Sequence, residues 1–204
     1  KDTIKNINIV IGCNIGCSYC YARMNNNRFH TIDDFNKPVF FENKLKMLDN
    51  KRHTAYLLTG QSDLSGWNEE WKDKVFSKMK ENENTQYIFL TKRPENIKLK
   101  ETPDNGWFGV TVTSSKEKTR IDYLRNNIKA KHYHITFEPM FDDVGKLDLN
   151  NISWIVIGTE TGNRKGKISS KREWVFNIYN QAKEKNIPVF MKEDLLGILN
   201  EDVL

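Results

Sequence analysis

The sequence has little of what marks several common protein classes. It has three cysteines in 204 residues, and all three fall within the eight positions from Cys13 to Cys20. A secreted disulfide framework needs paired cysteines spread along the chain, so this usage points to a reducing cytoplasm and a metal centre. No apolar run approaches the roughly 18 residues of a membrane span, and no membrane partner is expected. The start, Lys1 to Ile11, lacks the basic-then-apolar layout of a signal peptide. No Gly-x-Gly-x-x-Gly turn follows an apolar run, which weighs against a dinucleotide-binding Rossmann domain. Internal repeats, low-complexity tracts and Pro/Gly-rich linkers are all missing, so residues 1–204 read as one domain.

What is present describes an ordinary folded chain, with 38% hydrophobic and 29% charged residues. The 32 Lys and Arg exceed the 27 Asp and Glu, a net charge of +5. That balance is compatible with nucleic acid or another anionic partner, and equally with a Lys-rich proteome. The lysines are scattered along the whole length, with no dense basic tail.

Apolar, β-branched runs alternate with amphipathic patterns. The runs at Ile7–Ile11, Ala55–Thr59, Tyr87–Thr91, Phe108–Thr113, Tyr133–Phe137, Trp154–Gly158 and Val189–Met191 read as strands. Phe40–Asp49, Asn68–Glu81, Lys116–Asn126 and Ser170–Asn186 read as helices, with Ser114/Glu117 and Ser170/Glu173 spaced as capping boxes. The alternation predicts an α/β fold with mostly parallel strands. A full eight-fold barrel needs about 250 residues, so an incomplete, open, TIM-like barrel fits better, with a flat doubly wound sheet as the alternative.

Parallel α/β folds gather their chemistry at the carboxyl ends of strands. Each predicted strand here is apolar along its length and polar at its exit. The exits are Gly12-Cys13, Thr59-Gly-Gln-Ser62-Asp63, Thr91-Lys92-Arg93-Pro94, Thr111-Val-Thr113-Ser114, Thr136-Phe-Glu138-Pro139, Thr159-Glu160-Thr161-Gly162 and Lys192-Glu193. Alternation along the fifth strand puts His132, His134, Thr136 and Glu138 on one face, expected to point into the barrel, either toward a ligand or in an internal hydrogen-bond network.

The strongest signal is Cys13-Asn-Ile-Gly-Cys17-Ser-Tyr-Cys20. Thiolates suit iron–sulfur clusters, zinc or Cu(I). Most [4Fe–4S] clusters take four cysteines. With three in the chain, one iron would lack a cysteine ligand, to be closed by a histidine, another subunit or a small molecule. A Cys3His zinc site with His30 as fourth ligand is the competing reading.

The Cys-x3-Cys-x2-Cys spacing is the signature of the radical S-adenosylmethionine superfamily. The chain further resembles the short phage-type members and the radical SAM mobile pair proteins of mobile elements, and more distantly spore photoproduct lyase. The matching segments are Gly12–Arg23, Arg28-Phe-His30, Gln61–Leu64, Phe89–Pro94, Gly109–Val112, Phe137–Pro139 and Ile157–Gly162. Relatives more often carry Ser-Val-Glu-Asn where this chain has Thr111-Val-Thr113-Ser114, so a carboxylate for the ribose is missing and hydroxyls are expected in its stead.

The resemblance implies a partial (β/α)6 barrel, a [4Fe–4S] cluster and reductive cleavage of S-adenosylmethionine to methionine and a 5′-deoxyadenosyl radical. It implies Cys13, Cys17 and Cys20 as metal ligands, Tyr19 against the adenine and Tyr21 over the cluster, with Gly16 keeping the loop small and Arg23 and Arg28 offsetting its charge. For the cofactor's remaining groups the candidates are Ser62 and Asp63 (amino group), Lys92 or Arg93 (carboxylate), and Thr111 and Thr113 (ribose). Glu138, Glu160 and Lys192 are left for the substrate, the cofactor's polar edge or catalysis, and for each of these non-cysteine residues a structural hydrogen bond or salt bridge is the competing reading. Expected partners are a one-electron reductant of flavodoxin or ferredoxin type, a nucleic-acid substrate and a second radical SAM protein; aromatics such as Trp67 and Trp107 are candidates for stacking on bases or, equally, loop anchors. The alternatives are a peptide or small-molecule substrate, or a zinc-stabilised nucleic-acid-binding protein without catalysis.

Overall fold

The apolar runs pair side by side into one sheet. The computed structural model describes residues 4–50 and 54–199. Its strands are β1 (Lys5–Asn6), β2 (Val10–Ile11), β3 (Val39–Phe40), β4 (Ala55–Leu57), β5 (Gln86–Thr91), β6 (Gly106–Thr111), β7 (His132–Phe137), β8 (Ile152–Ile157) and β9 (Val189–Met191). Seven of them form a sheet in the order β1-β4-β5-β6-β7-β8-β9, parallel at every pairing. The sheet curls strongly into a half-barrel, the open partial barrel expected from the alternation. The helices are α1 (Tyr21–Phe29), α2 (Glu69–Lys80), α3 (Thr119–Asn127), α4 (Arg172–Glu184) and the short α5 (Leu196–Leu199). None among the described residues is long and apolar enough to cross a membrane.

One face of the sheet makes the main core. Tyr87, Phe89, Phe108, Val110, Ile135, Phe137, Ile155 and Ile157 are buried there with Val75, Phe76 and Met79 of α2, Ile121 and Leu124 of α3, and Val175 and Ile178 of α4. Phe89 and Phe108 stack at 4.9 Å, and Phe76 meets both edge-on at 5.9 Å. Helix α2 starts where its sequence predicts, because the Asn68 side chain accepts the Trp71 N–H as an N-cap.

The opposite, concave face is polar and aromatic, as the alternation along β7 requires. Register places Gly109 opposite His134, and His134 opposite Trp154. A Cβ on residue 109 would stand 2.3 Å from the His134 ring, so only glycine admits the imidazole. His134 is fully buried with Nε2 3.1 Å from the Phe89 carbonyl oxygen. Burial pulls its pKa from 6.5 down to about 4, so the ring is neutral. Trp107 stacks on His132 at 4.4 Å and donates Nε1–H to Gln86 Oε1. This layer lies toward the strand starts, so His132 and His134 are internal packing rather than mouth residues.

Several boundaries differ from the sequence reading. The run Ile7–Ile11 splits: Ile7 still donates to the Leu57 carbonyl, whereas Val10–Ile11 pairs antiparallel with Val39–Phe40. The stretch expected as a helix from Phe40 opens in that strand and continues as a 3-10 helix over Glu42–Asp49. A 3-10 turn, Ser115–Glu117, precedes α3. Neither capping box forms. Ser170 is buried against Thr159 and α4 starts after Lys171 without a side-chain cap, while Glu117 reaches back to Thr113 instead of Ser114.

Candidate active site

The three cysteines lie on the loop between β2 and α1, at the carboxyl end of the half-barrel. Gly12 enters it at φ +114°, bridged to Ser62 of the next strand exit, and a Cβ there would stand 2.8 Å from the Pro38 backbone. The Cys13 amide donates to the Phe35 carbonyl, and Arg23 Nη2 holds the Cys13 carbonyl at 2.8 Å and Asn36 Oδ1 at 3.0 Å. Cys20 is the N-cap of α1, its sulfur accepting the Arg23 N–H at 3.4 Å. The Cys13 sulfur accepts the Ile15 N–H, yet burial still pushes its thiol up to about 11. All three thiols are half-buried and unpaired. Gly16 sits at φ +79° with open space beside it, so the loop needs its dihedral freedom and not its small size.

Two further strand exits crowd this loop. Tyr19 meets Phe141 edge-on at 5.4 Å, and Lys92 Nζ lies 5.8 Å from the centre of its ring. Burial and the neighbouring Cys17 push its phenol above the usual range. Arg93 reaches Asn14 of the loop at 3.4 Å. The Tyr21 hydroxyl donates to the Gly60 carbonyl at 2.7 Å. Thus Lys92 and Arg93 meet the loop that carries Tyr19, and Tyr21 ties the start of α1 to the second exit.

Other candidates have structural duties. Asp63 is buried and accepts from Ser65 N, Ser65 Oγ, Thr91 Oγ1 and Lys92 N, so it ties the second exit to the third and sets where Lys92 points. Ser62 Oγ accepts Trp67 Nε1–H. Trp67 is therefore a buried loop anchor, packed on Phe89, and Trp107 stands at a strand start; neither is an exit aromatic for stacking a base.

Thr111 and Thr113 are buried at the fourth exit. Glu117 Oε2 accepts both the Thr113 N–H and its hydroxyl at 2.7 Å and pairs with Arg120 at 2.9 Å, while Arg120 also donates to the Thr111 carbonyl. The sequence reading missed Glu117 as a site residue. Its position three after Ser114 was the available signal, since a carboxylate there folds back over the strand exit.

Glu138 and Lys192 are ion-paired across the mouth above Gly158, both partly exposed. Glu160 is separate. It is buried, held by Arg164 Nη2 at 2.8 Å and by the Ile168 N–H, and the Arg164 bonds keep its carboxyl below the usual range. Arg28 is exposed near the end of α1. His30 is the exposed left-handed C-cap of α1, and nine helical residues set it about 14 Å along the axis from Cys20. Among the described residues no three His, Cys, Asp or Glu side chains group as ligands of a metal ion.

The profile of a family described as "Protein of unknown function (DUF5131)" matches residues 2–195. No curated protein and no solved structure matches the chain.

Proposed function

The chain belongs to the DUF5131 family, and on the site it carries we propose that it is a radical S-adenosylmethionine enzyme, with a [4Fe–4S] cluster on Cys13, Cys17 and Cys20 and a nucleic-acid substrate. The carrying observation is the cysteine loop itself. The chain's only three thiols are half-buried on one loop at the carboxyl end of a half-barrel, with charged and aromatic side chains turned onto it.

The chemistry and spacing of the donors suit such a cluster, although the three thiols do not converge as a ligand group in this structure. Two sulfurs accept backbone N–H groups, which suits metal-bound thiolates. Cys20 stands at a helix amino terminus, and the Arg23 guanidinium compensates charge beside Cys13. Three thiolates leave one iron for the amino and carboxylate groups of S-adenosylmethionine.

A reduced cluster held by these cysteines would supply the one-electron, radical-forming cleavage of S-adenosylmethionine. The chain's residues bind and orient. Lys92 and Arg93 hold the carboxylate. Tyr19, fixed by Phe141, offers its ring to the adenine. Glu117, whose Oε2 is taken by Thr113 and Arg120, has Oε1 left for the ribose hydroxyls, making good the carboxylate absent from the Thr111–Ser114 run. Asp63 is a positioning residue, because its oxygens are occupied by the chain. Glu138 and Lys192, free of the loop networks, face the substrate.

The test is anaerobic. The reconstituted protein under dithionite should release 5′-deoxyadenosine and methionine in equal amounts, and Cys17→Ala should release neither. Cleavage that persists in Cys17→Ala overturns the assignment.

A further inference from the structure

A basic stretch closes the loop from β8 and runs into the first residue of α4, beyond the loop's one acidic residue, Glu160. Residues 161–172 read Thr-Gly-Asn-Arg-Lys-Gly-Lys-Ile-Ser-Ser-Lys-Arg, with five basic residues and no acidic one. Of the chain's 32 Lys and Arg, 27 lie elsewhere, and they equal its 27 Asp and Glu. The net +5 is therefore gathered in this one stretch.

The loop is built, and four of its charges have no ion-pair partner among the described residues: Lys167 Nζ reaches the Gly162 carbonyl at 3.4 Å, and Lys171 and Arg172 lie over the Trp174 and Phe176 rings. At its root the buried Glu160 accepts from Arg164 and from the Ile168 N–H. Arg164 in turn donates to the Gly166 carbonyl, and Lys167 N donates to the Arg164 carbonyl. At the far end Ser170 is pinned to Thr159 by its amide and hydroxyl. Arg164 is consumed by this scaffold. Lys165, Lys167, Lys171 and Arg172 are exposed, and none is in an ion pair among the described residues. Gly162 and Gly166 lie at φ +80° and +73° with open space beside them.

The loop leaves the carboxyl end of β8, on the same side of the sheet as the cysteine loop. Ile168 is its only exposed large apolar side chain, too little to anchor a membrane surface by insertion. We propose that residues 161–172 are the phosphate-backbone contact that holds a nucleic-acid strand against the cysteine mouth, through Lys165, Lys167, Lys171 and Arg172. This rests on nucleic acid as the substrate.

The experiment uses the anaerobic, cluster-loaded protein and a fluorescein-labelled single-stranded DNA of about 20 nucleotides, titrated across a salt series. Each phosphate contact adds about 0.7 to the negative slope of log affinity against log salt, so the loop accounts for a slope of about −3. The Lys165→Ala/Lys167→Ala/Lys171→Ala/Arg172→Ala variant should lose that slope and bind at least about tenfold more weakly near 0.1 M salt. A control that removes four charges elsewhere, Lys80, Lys98, Lys100 and Lys129 to Ala, should keep the slope. Cleavage of S-adenosylmethionine without DNA should be equal in all three proteins. An unchanged slope in the loop variant, or equal losses in both variants, overturns the loop and leaves the nucleic-acid reading standing. A wild type without salt-dependent binding overturns both. Displacement of the DNA by phosphatidylserine vesicles at lower concentration than by unlabelled DNA overturns the proposal in favour of a membrane surface.

Discussion

The two ends of the half-barrel's inner face use polar residues in opposite ways. Toward the strand starts, Gln86, Trp107, His132 and His134 spend their polar groups or ring faces on one another and on the backbone. At the carboxyl ends, Asp63 and Glu117 Oε2 are likewise engaged by the loops, but Lys92 and Arg93 meet the cysteine loop without an ion pair among the described residues, and Glu138 and Lys192 pair with each other. A polar inner face is thus not itself a ligand site. What marks the mouth is the pair of cations, Lys92 and Arg93, that have no ion-pair partner among the described residues.

Four outcomes would break or sharpen that contrast. The largest is Gly109→Ala, which drives a methyl into the buried His134 ring. It should cost about 3 kcal/mol or more in urea unfolding, and adding His134→Ala should recover part of the loss. The second is the pH dependence of stability. The folded His134 pKa lies near 4 and the ordinary value is 6.5, so as pH falls the unfolded chain takes up the proton first. Stability contributed above pH 6.5 should be lost between 6.5 and 4 and level off below, a total of about 3 kcal/mol. His134→Gln should flatten that part of the curve; identical curves would contradict a buried neutral ring.

Third, Asp63→Ala strips the acceptor from Thr91, Lys92 and Ser65. It should cost about 2 kcal/mol and also raise the KM for S-adenosylmethionine, because Lys92 loses its anchor. A stability loss with unchanged KM would leave Asp63 purely structural. The smallest effect on stability belongs to Lys192→Met. Its ion pair with Glu138 is about a third exposed, so unfolding should change by less than about 1 kcal/mol while turnover on substrate drops at least about tenfold. A variant that turns over normally would make this pair ordinary surface packing.

Much of this was legible from the chain. Parallel strands with polar exits were readable because a strand buried on its helix-facing side must be apolar, and the loop that leaves it need not be. The thiol loop was readable because three clustered cysteines have few other uses. Contacts that depend on how a loop folds back were not. Glu117 has the spacing of a cap for Ser114, yet it bonds Thr113, since a 3-10 turn brings its carboxylate one residue further back. Asp63 and Glu160 have the chemistry of ligand-binding carboxylates, and only their burial among N–H groups and Arg164 reveals them as braces. Trp67 and Trp107 differ in burial and in position along their strands, which composition does not encode. The basic stretch 161–172 is plain in the sequence, but which of its charges lack an ion-pair partner depends on the fold of the loop, where Glu160 takes Arg164 alone.

The central claim is that Cys13, Cys17 and Cys20 hold a four-iron cluster with one iron open. The most direct measurement is the iron, zinc and acid-labile sulfide content of the protein purified and reconstituted without oxygen. The account predicts a brown protein with about four irons and about four sulfides per chain, lost in Cys17→Ala. A colourless protein with one zinc per chain and no sulfide would contradict it.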